Sequence, residues 1–132
     1  MMQFFMPMKP PTATAQEREV VVGKNGKPRF FDPPALEDAR AKLTAHLAQH
    51  RPDAPFTGPL RVLTKWCFPR IKRAKHGQWK DTRPDTHNLN KMLYDIMTKL
   101  GFWKDDAQVV SEINEKFWSD KPGIFIQIEE LL

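Results

Sequence analysis

Acidic side chains stand on both sides of an apolar, helix-like stretch in the second half of the chain. Asp85 precedes this stretch, and Asp105 and Asp106 follow it. Carboxylate oxygens bind Mg²⁺ and Mn²⁺ in proteins, and such an ion can activate a water molecule and stabilise charge on a phosphate. Asp85 and Asp106 are therefore candidate metal ligands, with Asp105 as a third candidate. The competing interpretations are an acid stabilised by a helix N-terminus for Asp85 and a solvated turn for the pair.

Two more side chains could take part in the same chemistry. His87 and Lys91 are four residues apart, so they share one face of a helix. A lysine there can neutralise charge on a phosphate or a leaving oxygen, and a neutral imidazole can bind a metal ion, Mn²⁺ better than Mg²⁺. The competing interpretation of Lys91 is a solvated surface charge. Asp95 lies four residues from both Lys91 and Lys99, so a helix-surface ion pair explains it well enough and it is only a minor candidate for this chemistry.

The stretch between the acids is predicted to form one amphipathic helix. Pro84 suits the start of a helix, and Gly101 suits a C-terminal cap. About sixteen helical residues would hold the flanking acids roughly 20–25 Å apart, so the chain must fold back along the helix if they are to meet. The strand-like run Gln108–Val110 would allow this through a tight turn. The apolar stripe consists of Leu89, Met92, Leu93, Ile96 and Leu100.

A basic segment directly precedes this helix. Between residues 70 and 83, six basic side chains stand against one acid, Asp81. Cations beside a metal site would neutralise backbone phosphates, so we predict that these side chains bind DNA. Trp79 could stack on a base or act as a wedge, and the alternative is a loop residue packed on the core. The predicted DNA-binding residues are Arg70, Lys72, Arg73, Lys75, Lys80 and Arg83.

The whole chain alternates between strand-like and helix-like runs. Two β-rich runs, at 20–22 and 28–31, flank Asn25-Gly26, which is the strongest short-range signal of a β-hairpin. This order indicates an α+β fold in which two helices pack on one face of a small mixed or antiparallel sheet. The other predicted elements are strands at Gln3–Met8, Leu60–Phe68, Val109–Trp118 and Ile124–Glu129, and a helix at Ala35–His50.

Length, charge and cysteine content narrow the class of protein. A chain of 132 residues with 40% hydrophobic content suits a single folded domain over 1–132, and its net charge of +5 is compatible with a polyanionic partner. The single Cys67 indicates a buried, reduced, intracellular thiol. We expect no signal peptide and no membrane partner, because the N-terminus has no basic leader and no apolar run approaches ~20 residues.

The combined spacing of these motifs is more specific than any of its parts. Pro84–Lys91 followed by Leu100–Val110, with Pro10-Pro11-Thr12 near the N-terminus, resembles the RusA family of Holliday junction resolvases. These are metal-dependent endodeoxyribonucleases that are usually found on phage and prophage DNA. His87 departs from the pattern, because the family usually has its second aspartate there. The matching positions are Asp85, Asn88, Leu89, Lys91, Asp105, Asp106, Gln108 and Val109.

The resemblance implies a homodimer that cuts four-way DNA junctions with Mg²⁺ or Mn²⁺ during DNA recombination and repair. Two symmetric cuts need two sites, and a C2 dimer would provide them. The resemblance also implies the α+β fold and a cytoplasmic location in a bacterial or phage-infected cell. The implied catalytic residues are Asp85, His87, Lys91 and Asp106, and the implied metal ligands are Asp85, His87, Asp105 and Asp106.

His87 leaves the activity open to more than one interpretation. It could bind the metal directly with a changed metal preference, act as a general base or orient a ligand, or weaken catalysis. The alternative function is therefore a DNA junction-binding protein with weakened or lost catalysis. A third hypothesis is a small basic interaction module whose acids have no catalytic role.

Overall fold

The computed structural model describes residues 1–13, 19–22, 28–31 and 34–132, with the backbone alone at 19–22 and 28–31. The strands are β1 (Met2–Pro7), β2 (Glu19–Val22), β3 (Pro28–Phe31), β4 (Leu60–Pro69), β5 (Val109–Ser119) and β6 (Gly123–Glu130). The helices are α1 (Pro34–Ala48) and α2 (Thr86–Leu100), and a 3₁₀ helix, Asp106–Gln108, precedes β5. Within these ranges, neither α1 nor α2 has the length and apolar character needed to cross a membrane.

Four strands form a mixed sheet in the order β1-β6-β4-β5. β6 pairs antiparallel with both β1 and β4, whereas β4 and β5 run parallel, with Val62 opposite Glu112. Parallel neighbours need a long crossover connection, and α2 belongs to the crossover between β4 and β5. The predicted α+β fold is confirmed, and the crossover places α2 beside β5.

β2 and β3 form the predicted hairpin as a separate two-stranded sheet. They pair antiparallel, from Glu19 opposite Phe31 to Val22 opposite Pro28. The predicted Asn25-Gly26 turn lies outside the described residues. The pairing of the two strands confirms the hairpin itself.

Both helices pack on one face of the four-stranded sheet, as predicted. Alternate residues of β4 point into a core that α1, α2 and β6 share. Burial of one large apolar side chain stabilises the fold by about 1.5–3 kcal/mol, so this shared core fixes α2 over the sheet. The core includes Leu36, Leu43 and Leu47 from α1, Val62, Trp66 and Phe68 from β4, Leu89, Leu93 and Met97 from α2, and Ile124, Ile126 and Ile128 from β6.

The opposite face of β4 carries polar side chains and the single cysteine. Arg61 donates a hydrogen bond to Ser111 Oγ at 3.0 Å and forms an ion pair with Glu129 at 3.6 Å. Cys67 lies on this face and is half-buried, so the prediction of a buried thiol is wrong. Partial burial still raises the pKa of the Cys67 thiol, while the charge of Lys65 acts in the opposite direction.

α2 begins and ends where the sequence signals predicted. Asp85 precedes the helix in an extended conformation, and Gly101 follows it with a φ of 83°. Glycine adopts this left-handed conformation without a steric penalty. The N–H of Gly101 donates to the Thr98 carbonyl at 3.1 Å, and the N–H of Phe102 donates to the Met97 carbonyl at 3.0 Å. These bonds end the helix and turn the chain back toward β5.

Candidate active site

The 3₁₀ helix holds the turn that returns the chain along α2. Asp105 caps it, because its Oδ1 accepts a hydrogen bond from the Ala107 N–H at 2.9 Å. The Gln108 Oε1 accepts from two backbone N–H groups before the helix, which completes a capping box. Gln108 also donates through Nε2 to two carbonyls of the loop before β4, at 3.1 and 3.0 Å. The predicted turn is confirmed, and it fixes the position of Asp106.

β5 then runs beside α2 in the opposite direction. In the middle of α2, Asn90 contacts Asn114 of β5. At the start of α2, the Lys116 Nζ donates to the carbonyl of Pro84 at 2.7 Å. Side chains of α2 and β5 therefore face one another along most of the helix.

An open groove of about 380 Å³ lies between α2 and β5. It brings together His87, Lys91 and Asp106, three of the residues predicted to be catalytic. Asp85 and Asp105 do not line it. The fold-back thus places a cation of α2 and an acid of the following turn at one surface. The lining residues are Thr86, His87, Asn90, Lys91, Tyr94, Asp106, Val109, Glu112 and Asn114.

Asp85 lies at the N-terminal end of α2, beside the groove rather than in its lining. Its side chain makes no capping bond to the helix backbone, and its Oδ2 accepts from Asn88 Nδ2 at 3.5 Å. Burial lowers the pKa of Lys116, and the nearby charges of Asp85 and Asp81 raise it. The exposed carboxylate of Asp85 therefore sits between the helix start and a neighbouring cation.

Asp106 lies among other acids. Loss of solvation raises its pKa, and so do Asp105, through its charge and a hydrogen bond, and the charge of Asp95. In the described structure Asp95 forms no ion pair with Lys91 or Lys99, so the predicted helix-surface pairs are not formed. Like charges this close destabilise the ionised state, and a bound cation would relieve that repulsion.

The structure places the four predicted metal ligands at three different locations. His87 and Asp106 line the groove, Asp85 lies at the end of α2, and Asp105 caps the 3₁₀ helix. Among the residues whose placement is described, no three His, Cys, Asp or Glu side chains form a group that could hold a metal ion. The donors nevertheless suit a hard cation, because Mg²⁺ often binds through one or two carboxylates and completes its shell with water and substrate phosphate. Asp106 and Glu112 are the carboxylates of the groove.

A network of four polar residues in the groove was missed by the sequence analysis. Asn90 donates through Nδ2 to Glu112 Oε2 at 3.1 Å, to the Tyr94 hydroxyl at 3.3 Å, and to Asn114 Oδ1. Asn90 and Tyr94 are only 3% and 7% exposed. Two signals in the sequence could have identified them. Asn90 is a polar residue on the buried side of α2, and Glu112 and Asn114 lie two residues apart on β5, so they share one face of the strand.

The basic segment joins β4 to α2, so in the sequence it directly precedes the groove residues of α2. Most of its cations are exposed. Arg70 is partly neutralised, because its Nε donates to Asp120 Oδ1 at 2.7 Å. Four other cations are exposed and form no ion pair within the described ranges. These unpaired cations are Lys72, Arg73, Lys75 and Arg83.

Lys80 does not belong with these cations, and the prediction that it contacts DNA does not hold. It is 8% exposed, and its Nζ donates to Thr82 Oγ1 at 2.6 Å and to the Arg83 carbonyl. The ammonium also lies 4.5 Å from the Trp118 ring centroid and 5.1 Å from that of Phe68. Burial lowers the pKa of Lys80. The charged ammonium of Lys80 therefore stabilises the loop that leads into α2.

Lys80→Met is expected to destabilise the fold by about 2–4 kcal/mol, because hydrogen bonds to a charged group contribute about 1.5–3 kcal/mol each. The substitution keeps apolar contact with the rings and leaves the Arg83 carbonyl without its donor. Thermal unfolding followed by circular dichroism measures the change. Lys75→Met, in the same segment but exposed, is the control and should unfold as the wild type does. Equal stability of Lys80→Met and the control would place the ammonium in solvent.

Trp79 lies on the surface within the basic segment. It is 61% exposed, and its ring stacks on Phe117 of β5 with centroids 4.5 Å apart. The alternative that Trp79 packs into the core is therefore wrong. An exposed ring held by a neighbouring ring is a surface on which a nucleic-acid base can stack.

Comparison with known proteins agrees with these features. The family model described as Endodeoxyribonuclease RusA matches residues 8–129. The chain is 32% identical over 120 residues to the Crossover junction endodeoxyribonuclease rusA of Lactococcus phage r1t, covering 89% of this chain and 90% of that protein. It is 29% identical over 119 residues to the Uncharacterized protein YqaN of Bacillus subtilis strain 168, covering 82% and 83%.

A shorter match has a higher percentage of identical residues. The chain is 61% identical over 28 residues to the Crossover junction endodeoxyribonuclease RusA of Escherichia coli strain K12, covering 21% of this chain and 23% of that protein. The family model, by contrast, spans nearly the whole chain, including the 3₁₀ turn and both walls of the groove. The chain therefore belongs to the endodeoxyribonuclease RusA family.

Proposed function

We propose that this chain is a metal-dependent endodeoxyribonuclease that resolves four-way (Holliday) DNA junctions by paired phosphodiester hydrolysis in recombination and repair. The observation that carries the proposal is the groove between α2 and β5, which brings Lys91 and Asp106 together. Membership of the RusA family and the name of the Lactococcus phage r1t relative support branched DNA as the substrate. We place its action in the cytoplasm of a bacterial or phage-infected cell.

The residues of the groove have separate tasks in this proposal. A bound Mg²⁺ or Mn²⁺ would supply an activated water and stabilise charge on the phosphate. Asp106 would hold the ion, with Asp85 and His87 as further candidates at the start of α2. Lys91 would neutralise charge on the scissile phosphate or the leaving oxygen. Asp105, through its cap on the 3₁₀ helix, keeps Asp106 beside α2.

A gel assay with a labelled four-way junction tests the proposal. The purified chain is incubated with the junction in Mg²⁺ or Mn²⁺, and linear duplex of the same sequence is the control substrate. Symmetric cleavage of the junction is the expected result. Binding without cleavage would favour the junction-binding alternative, which the histidine at position 87 motivates. Absence of both would favour a basic interaction module.

The exposed cations of the basic segment are expected to bind backbone phosphates. Arg73→Ala and Lys75→Ala should each weaken junction binding for all sequences and lower the slope of log K against log salt by about one. Binding titrations over a range of salt concentrations measure the slope. Lys42→Ala on α1, which removes a cation paired with Asp38, is the control. A slope that is unchanged in the segment variants would place those residues away from DNA.

We also propose a C2 homodimer, because a junction needs two cuts and the groove between α2 and β5 gives each chain one set of candidate catalytic residues. Light scattering of the purified protein at micromolar concentration should give the mass of two chains. Full cleavage activity by a protein that stays monomeric under those conditions would contradict this prediction.

A further inference from the structure

Glu112 on β5 is held in the groove by neutral side chains. Its Oε2 accepts from Asn90 Nδ2 at 3.1 Å and from Asn114 Nδ2 at 3.4 Å. Burial raises the pKa of Tyr94, and so do the negative charge of Glu112 and a hydrogen bond to it. Two neutral amides therefore hold a single carboxylate directly, and Tyr94, whose hydroxyl accepts from Asn90 Nδ2 at 3.3 Å, belongs to the same network.

A purely structural role does not account for this network. Asn90 and Tyr94 are buried at the contact between α2 and β5, where apolar side chains would pack without unpaired polar atoms. A buried polar group without a partner costs about 1–3 kcal/mol, so a structural network would be expected to close on itself. This network stays open, because Glu112 is exposed and forms no ion pair in the described part of the chain. The Asn90 Oδ1, moreover, is buried and accepts no hydrogen bond.

The charge of the groove indicates what would complete the network. Glu112 and Asp106 are its two carboxylates, and Asp106 already stands close to Asp95 and Asp105. Two carboxylates are donors of the kind that a hard divalent cation takes.

We propose that Glu112 is a ligand of the divalent cation, paired with Asp106, and that Asn90, Asn114 and Tyr94 are positioning residues that orient its carboxylate. This inference rests on the proposed function and extends it to a residue outside the motif shared with the family. The chain has a histidine at position 87, where the family usually has an aspartate. Glu112 would supply a carboxylate from the opposite wall of the groove. Two carboxylates, water and a DNA phosphate together would complete the shell of the ion.

Binding of Mn²⁺ to the full chain without DNA tests the inference. Calorimetric titration gives the affinity, and electron paramagnetic resonance of free Mn²⁺ gives an independent count of bound ions. Glu112→Gln keeps the size of the side chain and its capacity to accept hydrogen bonds, and it should weaken Mn²⁺ binding by about 10–100-fold. Glu115→Gln is the matched control, since strand alternation places Glu115 on the opposite face of β5, and it should bind Mn²⁺ as the wild type does.

Tyr94→Phe tests the positioning residues. It keeps the ring that packs edge-on against Trp103 and removes only the hydroxyl. The Mn²⁺ affinity should fall by about tenfold, as for other groups that orient a ligand, while the wild-type fold is retained by circular dichroism. A role in packing alone would leave the Mn²⁺ affinity unchanged.

The outcomes separate this inference from the proposed function. An unchanged Mn²⁺ affinity in Glu112→Gln overturns the inference, and junction cleavage by the wild type then leaves the proposed function standing. A wild type that neither binds Mn²⁺ nor cleaves junctions overturns both. If Glu112→Gln does not fold, Glu112→Asp replaces it, because it keeps the charge and withdraws the carboxylate by one methylene. Weaker Mn²⁺ binding by Glu112→Asp supports the inference, and unchanged binding overturns it.

Discussion

Asp106→Asn is expected to lower the rate of junction cleavage by about 10³-fold or more. The substitution keeps the size of the side chain and removes the charge that would hold the ion. A metal ion contributes several kcal/mol to transition-state stabilisation, and each ~1.4 kcal/mol changes the rate tenfold. Junction binding without metal should stay the same or tighten, because one negative charge near the phosphates is gone. Single-turnover cleavage and gel-shift titrations measure the two effects.

Asp105→Asn is the matched control for this experiment. Asparagine caps helices as well as aspartate does, so the 3₁₀ turn should persist and the loss of activity should be small. Cleavage by Asp106→Asn at the wild-type rate in Mg²⁺ would remove Asp106 from the proposed ligands. Asp85→Asn tests the acid that the structure leaves at the start of α2, and a loss as large as that of Asp106→Asn would add Asp85 to them.

Lys91→Met is expected to lower the cleavage rate by about 10²–10³-fold, the effect of removing one group that stabilises a developing negative charge. Lys91 is exposed at the groove, so the substitution should leave the core and the unfolding temperature unchanged. The rate is measured at saturating junction concentration, which separates loss of chemistry from loss of binding.

Lys99→Met provides the comparison for Lys91. Lys99 is exposed on the same helix two turns later and does not line the groove. Its removal changes the net charge equally and should leave the cleavage rate near that of the wild type. If the two methionine variants cleave at the same rate, Lys91 is a solvated surface charge, as its competing interpretation holds.

Local signals are enough to predict some elements of this fold. The apolar stripe and Gly101 locate α2, and the runs around Asn25-Gly26 locate the hairpin, because each pattern is set by neighbouring residues. The strand order has no such signal. β6 lies between β1 and β4, and β5 pairs in parallel with β4, so these pairings join distant segments and depend on the whole core.

The residues of the candidate site that belong to a sequence motif were predictable. Those whose position depends on a contact between distant segments were not. Lys91 and Asp106 were predicted from a motif that resembles the family pattern, and both line the groove. Lys80 was misread because a count of basic residues treats each as exposed, whereas backbone carbonyls and two aromatic rings draw this one inward. Glu112 was missed because it meets Asn90 only after the chain folds back, although 22 residues separate them.

The position of β6 inside the sheet also determines when the groove can assemble during synthesis of the chain. β4 lies between β5 and β6, and β6 comes latest in the sequence of the strands that form this sheet. While the chain is still being made, every groove residue emerges from the ribosome before Ile124, Ile126 and Ile128 can complete the core beneath α2. A nascent chain therefore carries the groove residues without an assembled groove. The order of synthesis therefore delays assembly of the groove until β6 has joined the sheet.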